Sequence, residues 1–260
     1  MNLEMRDKVV LVTGGAKGIG AAIVRTCANE GARLVVVDVD APATQQLAAQ
    51  ITESGQVLEP IVGDLCDPNV WQTSVQQTVD RFGRLDVLVN NAGVNDKVGL
   101  ENGNSKQFLQ SLSKNLLHVY GMAHSALPYL KKSQGSILNI GSKTAFTGQG
   151  GTSGYAAAKG AIAALTREWA AELLPNGIRV NAVIPAEVMT PLYEQWLNTF
   201  PNPEQELQTI LSKIPLGKRM TREAEVAALV AFLVSAQAAH ITGQHLFVDG
   251  GYVHLDRALT

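Results

Sequence analysis

Cysteine is scarce: Cys27 and Cys66 are the only two in 260 residues. Two isolated thiols form neither a zinc pattern nor a framework of bridges, so the expected setting is reducing and cytoplasmic. Charged residues are few, at 17% against a usual ~25%. They are also balanced, 21 basic against 23 acidic, for a net charge of −2. That leaves no basic field for nucleic acid. No apolar run reaches the ~18 residues of a membrane span, so no membrane partner is expected. The N-terminal stretch carries Glu4 and Asp7 and lacks the apolar centre of a secretory signal. The five histidines show no ligand spacing on a common helix face, and no metal is expected.

What remains is aliphatic. Hydrophobic residues make up 46% and glycine contributes 24 residues. The length suits one large α/β domain spanning residues 1–260. Short aliphatic runs alternate with longer stretches of helical period. Strands are expected at 8–12, 33–38, 57–62, 86–90, 135–140, 178–183 and 245–248. Helices are expected at 18–30, 42–54, 69–82, 106–131, 155–174 and 222–235. This alternation predicts a single Rossmann-type, doubly wound parallel sheet with helices on both faces. Residues 190–216 break the rhythm with Pro191, Pro201, Pro203 and Pro215. They follow a strand end, where open α/β sheets bind ligands, and read as a substrate lid or a plain surface hairpin.

The first strand runs into Thr13-Gly14-Gly15-Ala16-Lys17-Gly18-Ile19-Gly20. Glycines at 14, 18 and 20 let a pyrophosphate approach the backbone, and the free amides of the following helix start would hold it. Asp38 ends the next strand, where a carboxylate accepts hydrogen bonds from an adenosine ribose. A 2′-phosphate would meet a like charge there. Lys17 can reach the same phosphate, but Asp38 occupies the space that phosphate needs, so NAD is expected over NADP.

Tyr155 and Lys159 stand at i and i+4, on one face of a predicted helix. Ser142 lies thirteen residues before Tyr155, just after a predicted strand. An alcohol oxidation needs a base for the hydroxyl proton. Bringing a phenol of pKa ~10 to neutrality takes about 4 kcal/mol, roughly what one ammonium ~4 Å away supplies at an effective dielectric of ~20. Ser142 would stabilise charge on the substrate oxygen.

With these motifs together, nearly the whole chain resembles the short-chain dehydrogenases/reductases. The resemblance implies that Asn115, Ser142, Tyr155 and Lys159 are the catalytic set, with Asn115 holding a water that links Lys159 to solvent. It implies NAD contacts at Gly14, Lys17, Gly18, Ile19, Gly20 and Asp38. Further cofactor contacts are implied at Asp64, Leu65, Asn91, Gly93, Tyr155, Lys159, Val188 and Thr190. Asn90-Asn91-Ala92-Gly93 is similar to the family's signature after the fourth strand. One departure stands out: Pro185-Ala186-Glu187 replaces the usual Pro-Gly and brings in a carboxylate.

The rim at 141–154 is small and polar, and Asn95, Asp96 and Lys97 follow the fourth strand. This balance points to a small polyol or sugar, with Ser142, Gln149, Tyr155 and Glu187 as its contacts. Residues 167–169, 185–193 and 247–259 resemble the family's L-fucose dehydrogenase branch, which implies oxidation of the anomeric carbon of an L-sugar to its lactone. Two other readings stay open: a carbonyl reductase of acyl or diketone substrates, and a cofactor-binding regulator or scaffold. The family resemblance also implies a homotetramer, joined through the helices at 106–131 and 155–174 and through the tail at 248–259.

Overall fold

The computed structural model describes residues 2–255. Seven strands form one parallel sheet: β1 (Val9–Thr13), β2 (Arg33–Asp38), β3 (Leu58–Val62), β4 (Val87–Asn90), β5 (Ser136–Ile140), β6 (Arg179–Pro185) and β7 (His245–Val248). Their order is β3-β2-β1-β4-β5-β6-β7, and every neighbouring pair is parallel. The order reverses between β1 and β4, which opens a crevice at their carboxyl ends.

The helices are α1 (Gly18–Asn29), α2 (Ala41–Glu53), α3 (Pro68–Phe82), α4 (Ser105–Leu112), α5 (His118–Ser133), α6 (Ser153–Leu173), α7 (Pro191–Leu197), α8 (Pro203–Ser212) and α9 (Glu223–Val234). They cover both faces of the sheet, and β1 shows why. Val10 and Val12 pack with Ile23 of α1 and Val230 of α9. Val9 and Leu11, pointing the other way, pack with Met122 of α5 and Ile162 of α6. Strand period puts alternate side chains on opposite faces, so a sheet covered on both sides reads as an unbroken aliphatic run.

Helix starts follow local chemistry. Asp40, Asp67 and Asn104 accept from first-turn amides of α2, α3 and α4. Such side-chain caps typically stabilise a helix by about 1 kcal/mol. Proline occupies the first turn of α2, α3, α7 and α8, where its missing amide costs nothing. By contrast, Lys17 gives α1 no side-chain cap, so the amides of that turn stay open to the crevice.

One expected element differs. The single helix over 106–131 is α4, then a π turn (Ser113–Leu117), then α5. A π turn inserts one residue into the hydrogen-bond ladder and often marks a functional site. It carries Asn115, which is fully buried. Residues 190–216 hold α7 and α8, a helical hairpin. The end of the tail expected at a subunit interface, residues 256–260, lies outside the described residues.

Candidate active site

The crevice contains a cavity of about 750 Å³ at the carboxyl ends of the central strands. Its cofactor side begins at the glycine turn. Gly14 has φ +60°, and a Cβ there would lie 2.8 Å from the Ala92 Cα. A Cβ on Gly20 would lie 2.1 Å from the Gly14 carbonyl oxygen. No side chain larger than hydrogen fits at either place, so the turn lies flat against β4. Thr13 and Asn91 lock it there. Thr13 Oγ1 accepts from the Asn91 and Ala92 amides at 3.0 and 3.2 Å. Asn91 Nδ2 donates to the Thr13 and Gly14 carbonyls at 3.1 and 2.7 Å. Asn91 thus shapes the turn with its side chain.

Asp38 accepts the Ala16 and Asp40 amides, both at 3.0 Å, while lining the cavity. Lys17 is committed to Asp40, Nζ to Oδ2 at 2.6 Å. This pairing raises the Lys17 pKa and lowers that of Asp40. The sequence pattern points to Asp38 against Lys17; the structure adds Asp40, a second acid that engages Lys17. Gly18, Ile19, Asp64, Leu65, Gly93, Val188 and Thr190 also line the cavity. Trp71 Nε1 donates to the Leu65 carbonyl at 2.8 Å and steadies that loop. No pattern in the sequence singles out Trp71. The open amides of α1, the Gly14–Gly20 cradle and the acid at the end of β2 fit a dinucleotide. Among the described residues, no group of three or more His, Cys, Asp or Glu is placed to hold a metal ion.

Ser142, Tyr155 and Lys159 share the other end of the same cavity. Ser142 Oγ accepts from the Thr144 amide at 3.2 Å and the Thr144 hydroxyl at 3.0 Å, which fixes its rotamer. Lys159 is buried, donates to the Ile140 carbonyl at 2.7 Å, and lies 5.6 Å from the Tyr155 ring centroid. Burial lowers its pKa to about 8. Burial also raises the Tyr155 phenol above its ordinary value, with a hydrogen bond to Ser142 pulling the other way. In the ligand-free protein, then, burial holds the phenol above its ordinary value, against the lowering that an ammonium close to it would give.

Asn115 stands behind this group. Its Oδ1 accepts the Val94 amide at 2.7 Å and its Nδ2 donates to the Ser111 carbonyl at 3.0 Å. A Cβ on Gly93 would lie 3.0 Å from that Oδ1 and 3.6 Å from Lys159 Nζ, so Asn115 and Lys159 flank one small space.

Two expected substrate contacts are not on the cavity wall. Gln149 is exposed, on a loop where Gly150 and Gly151 take positive φ. Glu187 is buried and faces away from the lining. It pairs with Lys143, and Tyr193 donates its hydroxyl to Glu187 Oε2 at 2.8 Å. Lys143 Nζ also sits over the Tyr252 ring, 4.2 Å from its centroid. With both oxygens engaged, Glu187 joins the α7 hairpin to the loop after β5. Asn95, Asp96 and Lys97 likewise turn to local bonds or aromatic contact: Asn95 to the Lys97 amide, Asp96 to Ser111, Lys97 over Trp196. The wall there is formed instead by Val94, Leu192, Tyr193 and Gln195.

The comparisons agree with this architecture. A family model described as enoyl-(acyl carrier protein) reductase matches residues 14–253. An L-fucose dehydrogenase of Mus musculus is 42% identical over 245 residues, covering 94% of this chain and 88% of that protein. The crystal structure of Cj0485 dehydrogenase has a TM-score of 0.94 at 45% identity, covering 100% of this chain and 99% of that one. The aldohexose dehydrogenase of Thermoplasma acidophilum has a TM-score of 0.88 at 31% identity, covering 99% and 98%. A glycine turn at a topological switch point, a Ser-Tyr-Lys group at the far end of the same cavity, and this likeness along the whole chain make the protein an oxidoreductase of the short-chain dehydrogenase/reductase family.

Proposed function

We propose that the protein oxidises a sugar hydroxyl with NAD, acting on the anomeric carbon of L-fucose or a related L-sugar to give the lactone. The observation that carries this reading is the single cavity. It joins the Asp38–Asp40 acid pair at one end to Ser142, Tyr155 and Lys159 at the other. The similarity to sugar-oxidising relatives supports the substrate class.

When bound, the oxidised nicotinamide supplies the hydride acceptor. Ser142 donates to the substrate oxygen and holds it beside Tyr155. The phenolate of Tyr155 takes the hydroxyl proton as hydride leaves the carbon and the C=O bond forms. Lys159 stabilises the phenolate, and Asn115 holds a water that links Lys159 to solvent. Asp38 holds the ribose hydroxyls, and Gly14, Gly18 and Gly20 let the pyrophosphate reach the α1 amides. The anomeric carbon is the easiest hydride donor on a sugar, because the ring oxygen stabilises the developing positive charge. Residues 190–216 act as a lid hinged near Val188 and Thr190, with Leu192, Tyr193 and Gln195 facing the substrate. The working form is a tetramer in the cytoplasm.

A second reading rests on the matched family model, whose description names a reductase. The same residues would then work in reverse, with Tyr155 giving its proton to a carbonyl. One experiment separates the two: following NADH absorbance with L-fucose, D-arabinose and L-galactose and NAD, alongside ketone and acyl substrates with NADH. Turnover of the sugars is expected. Activity confined to the ketone or acyl arm would overturn the sugar assignment.

A further inference from the structure

Behind Lys159 the structure holds a histidine that the chemistry above does not use. His118 follows the π turn, three residues after Asn115, and is 1% exposed. It nonetheless borders the active-site cavity, together with Lys159 and Lys114. One of its ring nitrogens is accounted for. Nε2 lies 2.9 Å from the Lys114 carbonyl oxygen. A carbonyl only accepts, so Nε2 carries the hydrogen and Nδ1 presents a lone pair. That Nδ1 is buried and meets no hydrogen-bond partner among the described residues.

An orphaned acceptor in a protein interior is costly, so it calls for a partner. The partner is not the Asn115 side chain, whose amide is taken by Val94 and Ser111. It is not the imidazole's own second proton either. Burial, opposed by the Lys114 carbonyl and aided by the charge of Lys159, lowers the His118 pKa to about 4, so the ring is neutral. The charge that acts on it is Lys159 on α6, which disfavours protonation. A water held between Lys159 and His118 would give Nδ1 its donor, because polar cavities hold water where two or more partners converge.

We propose that His118 is a positioning residue for proton release: its Nδ1 accepts a hydrogen bond from a water that in turn accepts from Lys159. The proposal deepens the oxidoreductase reading and rests on it. During oxidation one proton must leave the site for each hydride transferred. Lys159 gives an Nζ proton to the water as it takes one from the Tyr155 side. The water gives up a proton through its other O–H, toward solvent. Its remaining O–H stays on His118, which is unchanged. No electrons move in this relay. Without the acceptor, the water has no fixed orientation and its lone pair does not stay aimed at Lys159.

Two substitutions divide the ring's functions. His118→Asn keeps an acceptor near the δ position and loses the donor to Lys114. His118→Gln keeps a donor near the ε position and loses the δ acceptor. Crystal structures of the ligand-free full chain give the first readout. A water within hydrogen-bond reach of both Lys159 Nζ and position 118 is expected in the wild type and in His118→Asn, and not in His118→Gln. The second readout is kinetic, with NAD and whichever member of the panel above turns over fastest. His118→Gln should lower kcat at least about tenfold, less than loss of a direct acid–base group, with KM for NAD unchanged and a larger solvent deuterium isotope effect. His118→Asn should stay within about twofold of wild type in kcat. If the bridging water is missing from the wild type, or if His118→Asn is the slower variant, the proposal fails. A Tyr155→Phe control isolates the underlying reading. Should that variant turn over normally, the proton chemistry of Tyr155 falls. Should it be inactive while His118→Gln is normal, only the role of His118 falls.

Discussion

Asp38 and Glu187 are both carboxylates at or just beyond a strand end, and both flank the cofactor crevice, yet they are held differently. Asp38 is fixed by backbone amides, those of Ala16 and Asp40, and keeps its place on the cavity wall. Glu187 is fixed by side chains, Lys143 and Tyr193, and is drawn off the wall into a buried cluster. Burial raises the Tyr193 phenol well above its ordinary range, and Glu187 beside it adds to this, so Tyr193 stays a donor. The acid at the cofactor end is thus held by the main chain. The substrate end is a property of side-chain pairs that tie the α7 hairpin to the loop after β5.

The largest effect should come from Tyr155, at the end of the cavity away from Asp38. Tyr155→Phe keeps the ring and removes the only acidic proton, so turnover should fall at least ~10²-fold. NAD affinity, set at the other end, should change little. Because burial raises the phenol, wild-type oxidation should climb as pH rises and the phenolate fraction grows. The variant's residual rate should lack that limb. A variant with near-normal turnover would leave the two ends without a shared chemical step.

The next effect concerns stability. Lys143 and Glu187 are each 8% exposed. Removing one member of a buried pair typically costs about 3–5 kcal/mol, whereas replacing both with apolar residues is often nearly neutral. Glu187→Ala should therefore destabilise the fold by about 3 kcal/mol or more, and Lys143→Met with Glu187→Met should recover most of the loss, as read by denaturant unfolding. Should Glu187→Ala leave stability unchanged while selectively reducing sugar oxidation, the carboxylate reads substrate after all, and the contrast with Asp38 disappears.

The same contrast explains what was legible in the sequence. The parallel sheet, its helix layers and the glycine turn follow from local period and from spacings of a few residues. Asp38, Ser142, Tyr155 and Lys159 stand where local patterns place them, because strand ends and i, i+4 helix geometry carry them there. Glu187 and Lys143 are 44 residues apart in the chain. Only the packing of the loop after β5 against the segment after β6 joins them, and no periodicity encodes that meeting. The π turn at Ser113–Leu117 is hidden for a different reason. One inserted residue shifts the ladder without disturbing the apolar pattern of the flanking turns, so residues 106–131 read as one helix. Gln149 differs in the opposite sense: a polar residue between two residues of the expected catalytic set, it is exposed and not part of the cavity lining.

The smallest effect lies at the cofactor end and tests how far backbone anchoring suffices there. In the proposed reading Asp38 opposes a 2′-phosphate directly, while Asp40 would act one step removed, by holding Lys17 at 2.6 Å. Lys17 is mostly exposed and Asp40 partly so, which leaves the attraction screened and modest. Asp40→Asn neutralises the charge and keeps an oxygen to cap α2 through the Ala43 amide, a role the wild-type side chain fills at 3.1 Å. Lys17 is then free to meet a 2′-phosphate. The kcat/KM for NADP should rise, but by no more than about fivefold, the scale of an exposed ion pair. The gain should shrink at high salt, and NAD should be nearly unaffected. Asp38→Asn should give a larger shift, since it removes the charge that meets the phosphate itself. If Asp40→Asn instead shifts preference more than Asp38→Asn does, then Lys17, not the carboxylate at the end of β2, decides between the two cofactors, and the backbone-anchored acid is only part of the scaffold.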